Sequence, residues 1–213
     1  MTPLRKTRSP ALAGVPEQSR RPVERPVDAM LDELADIDPE HRRRAVLDLT
    51  GVPEALPALV HLLGVEADRT VRDALCAQLA RYDLPEVVDG LIGHLASDDA
   101  GLRTAVAGVL AHTPNSTAER VPELLADPDP DVRILTVMVL GELRLAAVEG
   151  WLIGLVSSDP DPNVVAAAIC ELVPLMGVRC EQALCAARDR FPHDPFITFS
   201  VTRALTVLDR ERR

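Results

Sequence analysis

One stretch decides the fold: Asp129-Pro130-Asp131-Val132-Arg133-Ile134-Leu135-Thr136-Val137-Met138-Val139-Leu140-Gly141. If Arg133 is taken as position 0, the same frame fits five other places at successive separations of 30 to 33 residues: Arg42, Arg72, Arg103, Val165 and Thr198. An aspartate stands four residues before each position 0: Asp38, Asp68, Asp99, Asp129, Asp161 and Asp194. A leucine stands seven residues after each one: Leu49, Leu79, Leu110, Leu140, Leu172 and Leu205. Self-similarity at a fixed short period indicates a repeat protein, here with six units.

Each unit predicts a helix that begins just after its aspartate. Asp is a strong helix N-cap, because its carboxylate accepts hydrogen bonds from the free N–H groups of the first turn. Proline, whose missing N–H costs nothing there, follows the aspartate in four units: Pro39, Pro130, Pro162 and Pro195. Position −1 is apolar in five units: Val71, Leu102, Val132, Val164 and Ile197. With positions +3, +4 and +7 it forms one apolar stripe of helical period. His41 takes its place in the first unit, as expected for an end repeat that faces water.

A leucine-rich helix is expected before each capped one. These first helices are predicted at 28–36, 53–63, 85–95, 117–126, 147–156 and 180–190. A unit of two helices cannot bury its own apolar faces, whereas a stack of such units buries them against its neighbours. The sequence therefore predicts an all-α fold, an α-solenoid of about six helix pairs.

The repeated pattern resembles the HEAT repeat. The resemblance rests on Asp127-Pro128-Asp129-Pro130-Asp131-Val132-Arg133 and onward to Leu140-Gly141, and it covers residues 28–206. The short period is similar to that of the bacterial HEAT-like subtype named after phycobilisome lyase subunits. The resemblance implies a right-handed superhelix whose concave face is lined by the capped second helices. Val165 and Thr198 depart from the pattern, because they replace the arginine of position 0.

Charge divides the chain into a basic arm and an acidic body. Residues 1–27 contain five prolines and carry a net charge of +4, which predicts a disordered arm, whereas the remainder carries −14. The arm is a solvated tail, folds back on the body, or reaches an acidic partner. Residues 207–213 are expected to form a charged C-terminal tail. An acidic body with only 2% aromatic residues disfavours nucleic acid as a partner, since phosphates need basic side chains and single strands need stacking platforms.

The sequence predicts a cytoplasmic protein. Its N-terminus has no apolar segment of the kind found in secretory signals, and its longest uncharged stretches are too short to span a bilayer, so no membrane association is expected. The four cysteines are then expected to be reduced and to serve as small apolar residues: Cys76, Cys170, Cys180 and Cys185.

No catalytic signature is visible. The sequence contains neither a Gly-x-Ser-x-Gly elbow nor a Gly-x-Gly-x-x-Gly turn, and its only lysine, Lys6, lies in the arm and forms no phosphate-binding loop. The His-Glu pairs known from metal-dependent HEAT-like hydroxylases are missing as well. We therefore expect no catalytic residues, no metal and no cofactor.

The aspartates and arginines of the first four units form the strongest charged pattern. Their i,i+4 spacing supports a helix, and stacking is expected to bring each arginine near the loop aspartates of the next unit, such as Asp98 or Asp127. This pattern favours a structural ladder of caps and ion pairs, and the alternative is an anion-binding row of arginines. Arg42, Arg43 and Arg44 lie at the solvent end beside His41, and we consider them a candidate site for an acidic partner.

A second candidate site lies on the second helices, whose positions +1, +2 and +5 are expected to point into the groove. These positions are apolar in units four and five, next to Phe199 of unit six: Ile134, Leu135, Met138, Ala166 and Cys170. Such a patch is typical of a groove that binds a helix or loop, and the alternative is that curvature buries it. Two functions follow from the sequence and the resemblance. One is a non-catalytic scaffold or adaptor that binds a protein partner through the concave face. The other is an accessory subunit or chaperone in cofactor attachment or insertion.

Overall fold

The computed structural model describes residues 25–175 and 180–211, and every regular element in these ranges is helical. They contain twelve α-helices: α1 Val27–Asp32, α2 Pro39–Asp48, α3 Leu56–Val65, α4 Arg69–Leu79, α5 Pro85–Leu91, α6 Ala100–Ala111, α7 Pro114–Leu124, α8 Pro130–Glu142, α9 Val148–Ser158, α10 Pro162–Leu172, α11 Cys180–Arg190 and α12 Pro195–Glu211. Short 3-10 turns adjoin four of them, at Glu33–Ala35, Pro53–Ala55, Ile92–Ala96 and Val173–Leu175. None of these helices is both long and apolar enough to cross a membrane.

The helices alternate between two layers, as expected for an α-solenoid. The even-numbered helices are the second helices of six repeats, and each packs against the next from α2 to α12. The first helices stack beside them, with α3 on α5, α5 on α7, and α9 on α11. The predicted solenoid of six helix pairs is therefore confirmed.

The six aspartates cap the second helices as predicted. Each carboxylate accepts hydrogen bonds from backbone N–H groups of the first turn, at distances of 2.7 to 3.4 Å: Asp38, Asp68, Asp99, Asp129, Asp161 and Asp194. Because the same cap recurs at every repeat, each second helix starts at an equivalent point along the stack. This common start keeps equivalent positions of successive helices in register.

The core fills the space between the two layers. The predicted apolar stripe is buried at position −1 in repeats two to six, and the leucine at position +7 is buried in the first five repeats. Leu205 is only half-buried, because within the described residues the sixth repeat packs against the fifth alone. The stripe therefore fixes which face of each second helix points inward.

The last helix gives the stack a polar end. Thr198, Thr202 and Thr206 form a row along α12, and each hydroxyl donates to the carbonyl four residues earlier, at 2.7 to 2.9 Å. In the fifth repeat the places equivalent to Thr198 and Thr202 hold buried Val165 and Ile169, which face the next repeat. The threonines thus replace an apolar stacking face by a hydrated one.

The ends of the described ranges differ from the predicted boundaries in one respect. Residues 207–211, expected to belong to a charged tail, continue α12, and Leu208 is buried because it extends the apolar stripe of that helix. Residues 1–24, most of the predicted arm, lie outside the described residues. Arg25, its last basic residue, forms ion pairs with Glu33 and Asp48 of the first repeat.

A hydrogen-bonded contact between repeats places the first helix of the fourth repeat. α7 begins without a side-chain cap from Thr113. Asp83, which precedes α5 in the third repeat, accepts hydrogen bonds from the backbone N–H groups of Asn115 at 3.0 Å and Ser116 at 2.8 Å. The cap of α7 is thus supplied from 32 and 33 residues away along the chain.

Candidate functional site

One face of the second helices is left uncovered by the stack. Positions +1 and +5 lie four residues apart and therefore share one stripe on each helix. Several large apolar side chains of this stripe are exposed: Leu47 at 43%, Met138 at 55% and Phe199 at 60%. Because α8, α10 and α12 pack in sequence, Met138, Cys170 and Arg203 occupy equivalent positions across three adjacent helices. We call the +1 and +5 residues of α8, α10 and α12 the apolar row.

The predicted groove residues do not all reach the surface. Met138, Cys170 and Phe199 are exposed, and Ile134 and Leu135 are half-buried. Ala166 was expected in the groove, but it is only 1% exposed and offers no surface to a partner. The reason is the close packing of α10 against α8 and α12, which includes the methyl group of Ala166 in the core, whereas Ala77 on the same stripe of α4 is exposed.

A cavity of about 250 Å³ opens at one end of the apolar row. It lies between α10 and α12. Its lining includes the predicted residues Cys170 and Phe199 together with five others: Ile169, Val173, Phe196, Ser200 and Arg203. Sequence reasoning missed these five. The repeat register does place Arg203 at position +5, whereas the cavity itself depends on how α10 and α12 are spaced.

A shallower groove of about 520 Å³ separates α4 and α6. Its lining is made largely of small side chains, including Ala77, Ala105 and Gly108. Burial raises the pKa of the Cys76 thiol in this groove to about 11, so the sulfur stays protonated at neutral pH. Cys76 therefore serves here as a small apolar residue, as the sequence predicts.

Three arginines at position 0 form ion pairs with an acid of the next repeat, at N–O distances of 2.7 to 2.9 Å: Arg42 with Glu66, Arg72 with Asp99, and Arg133 with Asp159. All four arginines donate to the carbonyl six residues earlier, at 2.6 to 2.8 Å: Arg42 to Asp36, Arg72 to Glu66, Arg103 to Ser97, and Arg133 to Asp127. None of the four predicted pairs between a capping aspartate and the arginine four residues later is an ion pair, because each of these aspartates faces the N–H groups of its own helix. These contacts form an inter-repeat ladder, the arrangement that the sequence favours.

The three arginines of the predicted basic cluster in the first repeat lie in different environments. Arg42 belongs to the ladder, where its hydrogen bonds hold the pKa of Glu66 below its ordinary value. Arg43 forms an ion pair with Glu40 at 2.9 Å. Arg44 is exposed and lines a polar groove together with Arg25, Glu33, Asp36 and His41. The three arginines therefore do not present one basic patch, because Arg42 and Arg43 form ion pairs with Glu66 and Glu40.

The comparisons with known proteins agree with this architecture. The sequence matches the HEAT-repeat family over residues 27–111 and 117–205, and the chain belongs to that family. HEAT repeats generally mediate protein–protein interaction. No curated protein matches the chain.

Two solved structures that match the chain are engineered proteins from the Northeast Structural Genomics Consortium. The first is 17% identical, with a TM-score of 0.42 and coverage of 85% of this chain and 97% of its own. The second is 16% identical, with a TM-score of 0.37 and coverage of 86% and 96%.

Proposed function

We propose that this protein is a non-catalytic scaffold or adaptor that binds a protein partner along the apolar row of its second helices. The observation that carries the proposal is the exposure of Met138 and Phe199 in a molecule whose other large apolar side chains are mostly buried. Soluble proteins seldom leave contiguous apolar surface uncovered unless it binds something. The partner is expected to lie across α8, α10 and α12, on what the HEAT resemblance makes the concave face.

The register supports the same surface. At positions +1 and +5 the second and third repeats carry small or polar residues: Asp73, Ala77, Thr104 and Gly108. The fourth and sixth repeats carry Ile134, Met138 and Phe199 instead. Large apolar side chains of the fourth and sixth repeats therefore flank the smaller Ala166 and Cys170 of the fifth, and Arg203 takes position +5 of the sixth.

The test is quantitative affinity capture from the native cell with the full chain. Met138→Glu combined with Phe199→Glu should reduce capture of the specific partner about tenfold or more, because exposed apolar anchors commonly contribute over about 1 kcal/mol each. Both side chains are more than half exposed, so the double variant should retain its helicity by circular dichroism. Ile134 is half-buried and is therefore a poorer site for a charge.

Leu47→Glu is the matched control. Leu47 occupies position +5 of the first repeat and is exposed. It lies on α2, three second helices away from α8 and outside the apolar row. It should leave capture unchanged. Equal capture by the double variant and the wild-type protein would show that the partner uses another face.

The lyase-type resemblance and the cofactor-handling role that it implies stay predictions. Visible absorbance of the protein purified from its native cell, removed by denaturation and extraction, would support that role. The expected cytoplasmic location likewise stays a prediction, which fractionation of the native cell tests.

A further inference from the structure

The cavity between α10 and α12 combines apolar walls with two polar groups that have no partner among the described residues. Its walls come from Ile169 and Val173 of the fifth repeat and from Phe196 and Phe199 of the sixth. On α12, Phe196 lies three and four residues before Phe199 and Ser200, and Arg203 lies four and three residues after them, so the four line one broad face of the helix. An apolar lining with a few placed polar groups is the usual composition of a specific binding pocket.

Arg203 is the cation of this cavity. Its side chain is exposed, and it forms no ion pair or hydrogen bond with any described residue. The ladder arginines differ, since Arg42, Arg72 and Arg133 are held by acids of the next repeat. A guanidinium beside apolar walls favours a carboxylate, with which it forms charge-assisted hydrogen bonds.

Ser200 supplies a second donor at the same place. The residue is only 7% exposed and lines the cavity, yet its hydroxyl makes no hydrogen bond to a described residue. Most other hydroxyls of this helix donate to a carbonyl one turn earlier, as in Thr198 and Thr202. The hydroxyl is open to the cavity, unlike the fully buried and unpaired Nε of Arg72 and Oε1 of Gln78, so it can donate to a ligand that carries an acceptor.

The size of the cavity restricts the distance between the carboxylate of the ligand and its apolar group. About 250 Å³ is room for one large side chain and is less than a typical small-molecule pocket provides. The apolar walls and both donors line this same small space. The carboxylate and the apolar side chain must therefore be very close together, as they are in the last residue of a polypeptide chain.

We propose that this cavity binds the C-terminal residue of a protein partner, with a large apolar side chain between Val173 and Phe199 and the terminal carboxylate on Arg203 and Ser200. The inference rests on the proposed function, because it names the part of the partner that the end of the apolar row holds. It also accounts for an arginine among the apolar residues of the row.

The probe is a set of twenty fluorescein-labelled octapeptides whose first seven residues are the same Gly-Ser sequence and whose last residue differs. Each peptide is made with a free C-terminal carboxylate and with a C-terminal amide. Binding to the full chain is measured by fluorescence anisotropy. Peptides that end in Leu, Phe or Met should bind as acids about tenfold more tightly than those that end in Gly, Asp or Lys. Amidation should weaken the apolar-ended peptides by about tenfold, because it removes the charge that Arg203 pairs with.

Two variants assign the effect to residues. Arg203→Met keeps the length of the side chain and should abolish the difference between acid and amide by weakening the binding of the acid. Ser200→Ala should reduce the same difference in part. Arg210→Met, on the same helix but outside the cavity, is the matched control and should change neither affinity.

The proposal is overturned if acids and amides bind equally well, if no peptide binds, or if Arg203→Met leaves the preference for acids intact. It is also overturned if amides with an internal Glu beside the apolar residue bind better than free acids, since the carboxylate would then come from a side chain. Any of these results together with a loss of native partner in Met138→Glu/Phe199→Glu would leave the proposed function standing and remove only this inference. An unchanged partner capture in that double variant would remove the proposed function itself.

Discussion

Arg133 and Asp159 form the most deeply buried ion pair in the described part of the chain. Two hydrogen bonds of 2.9 and 3.1 Å join them, and their side chains are 9% and 3% exposed. The same guanidinium donates to the carbonyl of Asp127 in its own repeat. One arginine side chain thereby fixes the loop before α8 to the loop before α10.

Asp159→Ala should destabilise the protein by about 3–5 kcal/mol, because it leaves the guanidinium of Arg133 buried without a counter-charge. Urea unfolding followed by circular dichroism measures the change. Arg133→Met combined with Asp159→Leu should recover most of the loss, since it removes both charges and keeps the volume. A small effect of Asp159→Ala alone would show that water reaches the pair.

Asp83→Ala should cost about 1 kcal/mol of the free energy of unfolding, because it removes the cap of α7. Two N–H groups, of Asn115 and Ser116, lose their acceptor. Asp98→Ala is the matched control, since Asp98 is an exposed loop aspartate without a hydrogen bond to any described residue. Similar urea midpoints for the two variants would show that Asp83 is not a cap.

Glu66→Gln should destabilise the protein at neutral pH and have little effect in acid. The hydrogen bonds from Arg42 lower the pKa of the Glu66 carboxyl from its ordinary value of 4.5. A carboxyl with a lowered pKa contributes stability above its ordinary value, and this contribution is lost as the pH falls through the folded-state pKa. Thermal unfolding at about pH 7 and about pH 3 compares the variant with the wild type. A variant effect of equal size at both pH values would contradict this linkage.

Glu171→Gln should have the opposite sign and stabilise the protein at neutral pH. Burial, with the nearby charge of Glu142, raises the pKa of the Glu171 carboxyl above its ordinary value of 4.5. The folded state therefore disfavours the ionised form, and the neutral amide removes that cost above the folded-state pKa. The gain should disappear when the pH is lowered below the ordinary value. Destabilisation by Glu171→Gln at neutral pH would show that the carboxylate has a favourable partner.

Gly90→Ala should destabilise the protein only while Val60 is present. A Cβ atom at Gly90 would lie 2.7 Å from Cγ1 of Val60, where α3 and α5 pack together. The β-branched side chain of Val60 has few rotamers with which to move away. In a Val60→Ala background the same substitution should stabilise the helix by up to about 1 kcal/mol, as alanine does in place of glycine. A double-mutant cycle in urea gives the coupling, and a coupling near zero would refute the close approach.

The six caps and the buried stripe could be predicted from sequence because they are local. An N-cap needs only Asp before a helix, and the stripe needs only the helical period, so both are visible in the spacing around Arg133. The ladder was predicted in kind but not in its partners, since Arg42 pairs with Glu66 and Arg103 binds only a carbonyl. Burial of Ala166 and the cavity beside Phe199 depend on the distance between neighbouring helices, which the spacing of residues along one helix does not give.

Because Asp83 of the third repeat caps α7 of the fourth, these two repeats form one unit for duplication or deletion. Repeat proteins grow and shrink when whole units are duplicated or deleted, and each new junction loses the contacts between the two neighbours that it separates. A cut anywhere between Asp83 and Asn115 separates α7 from its acceptor. Arrays engineered from this sequence should therefore carry these two repeats together and place their junctions elsewhere.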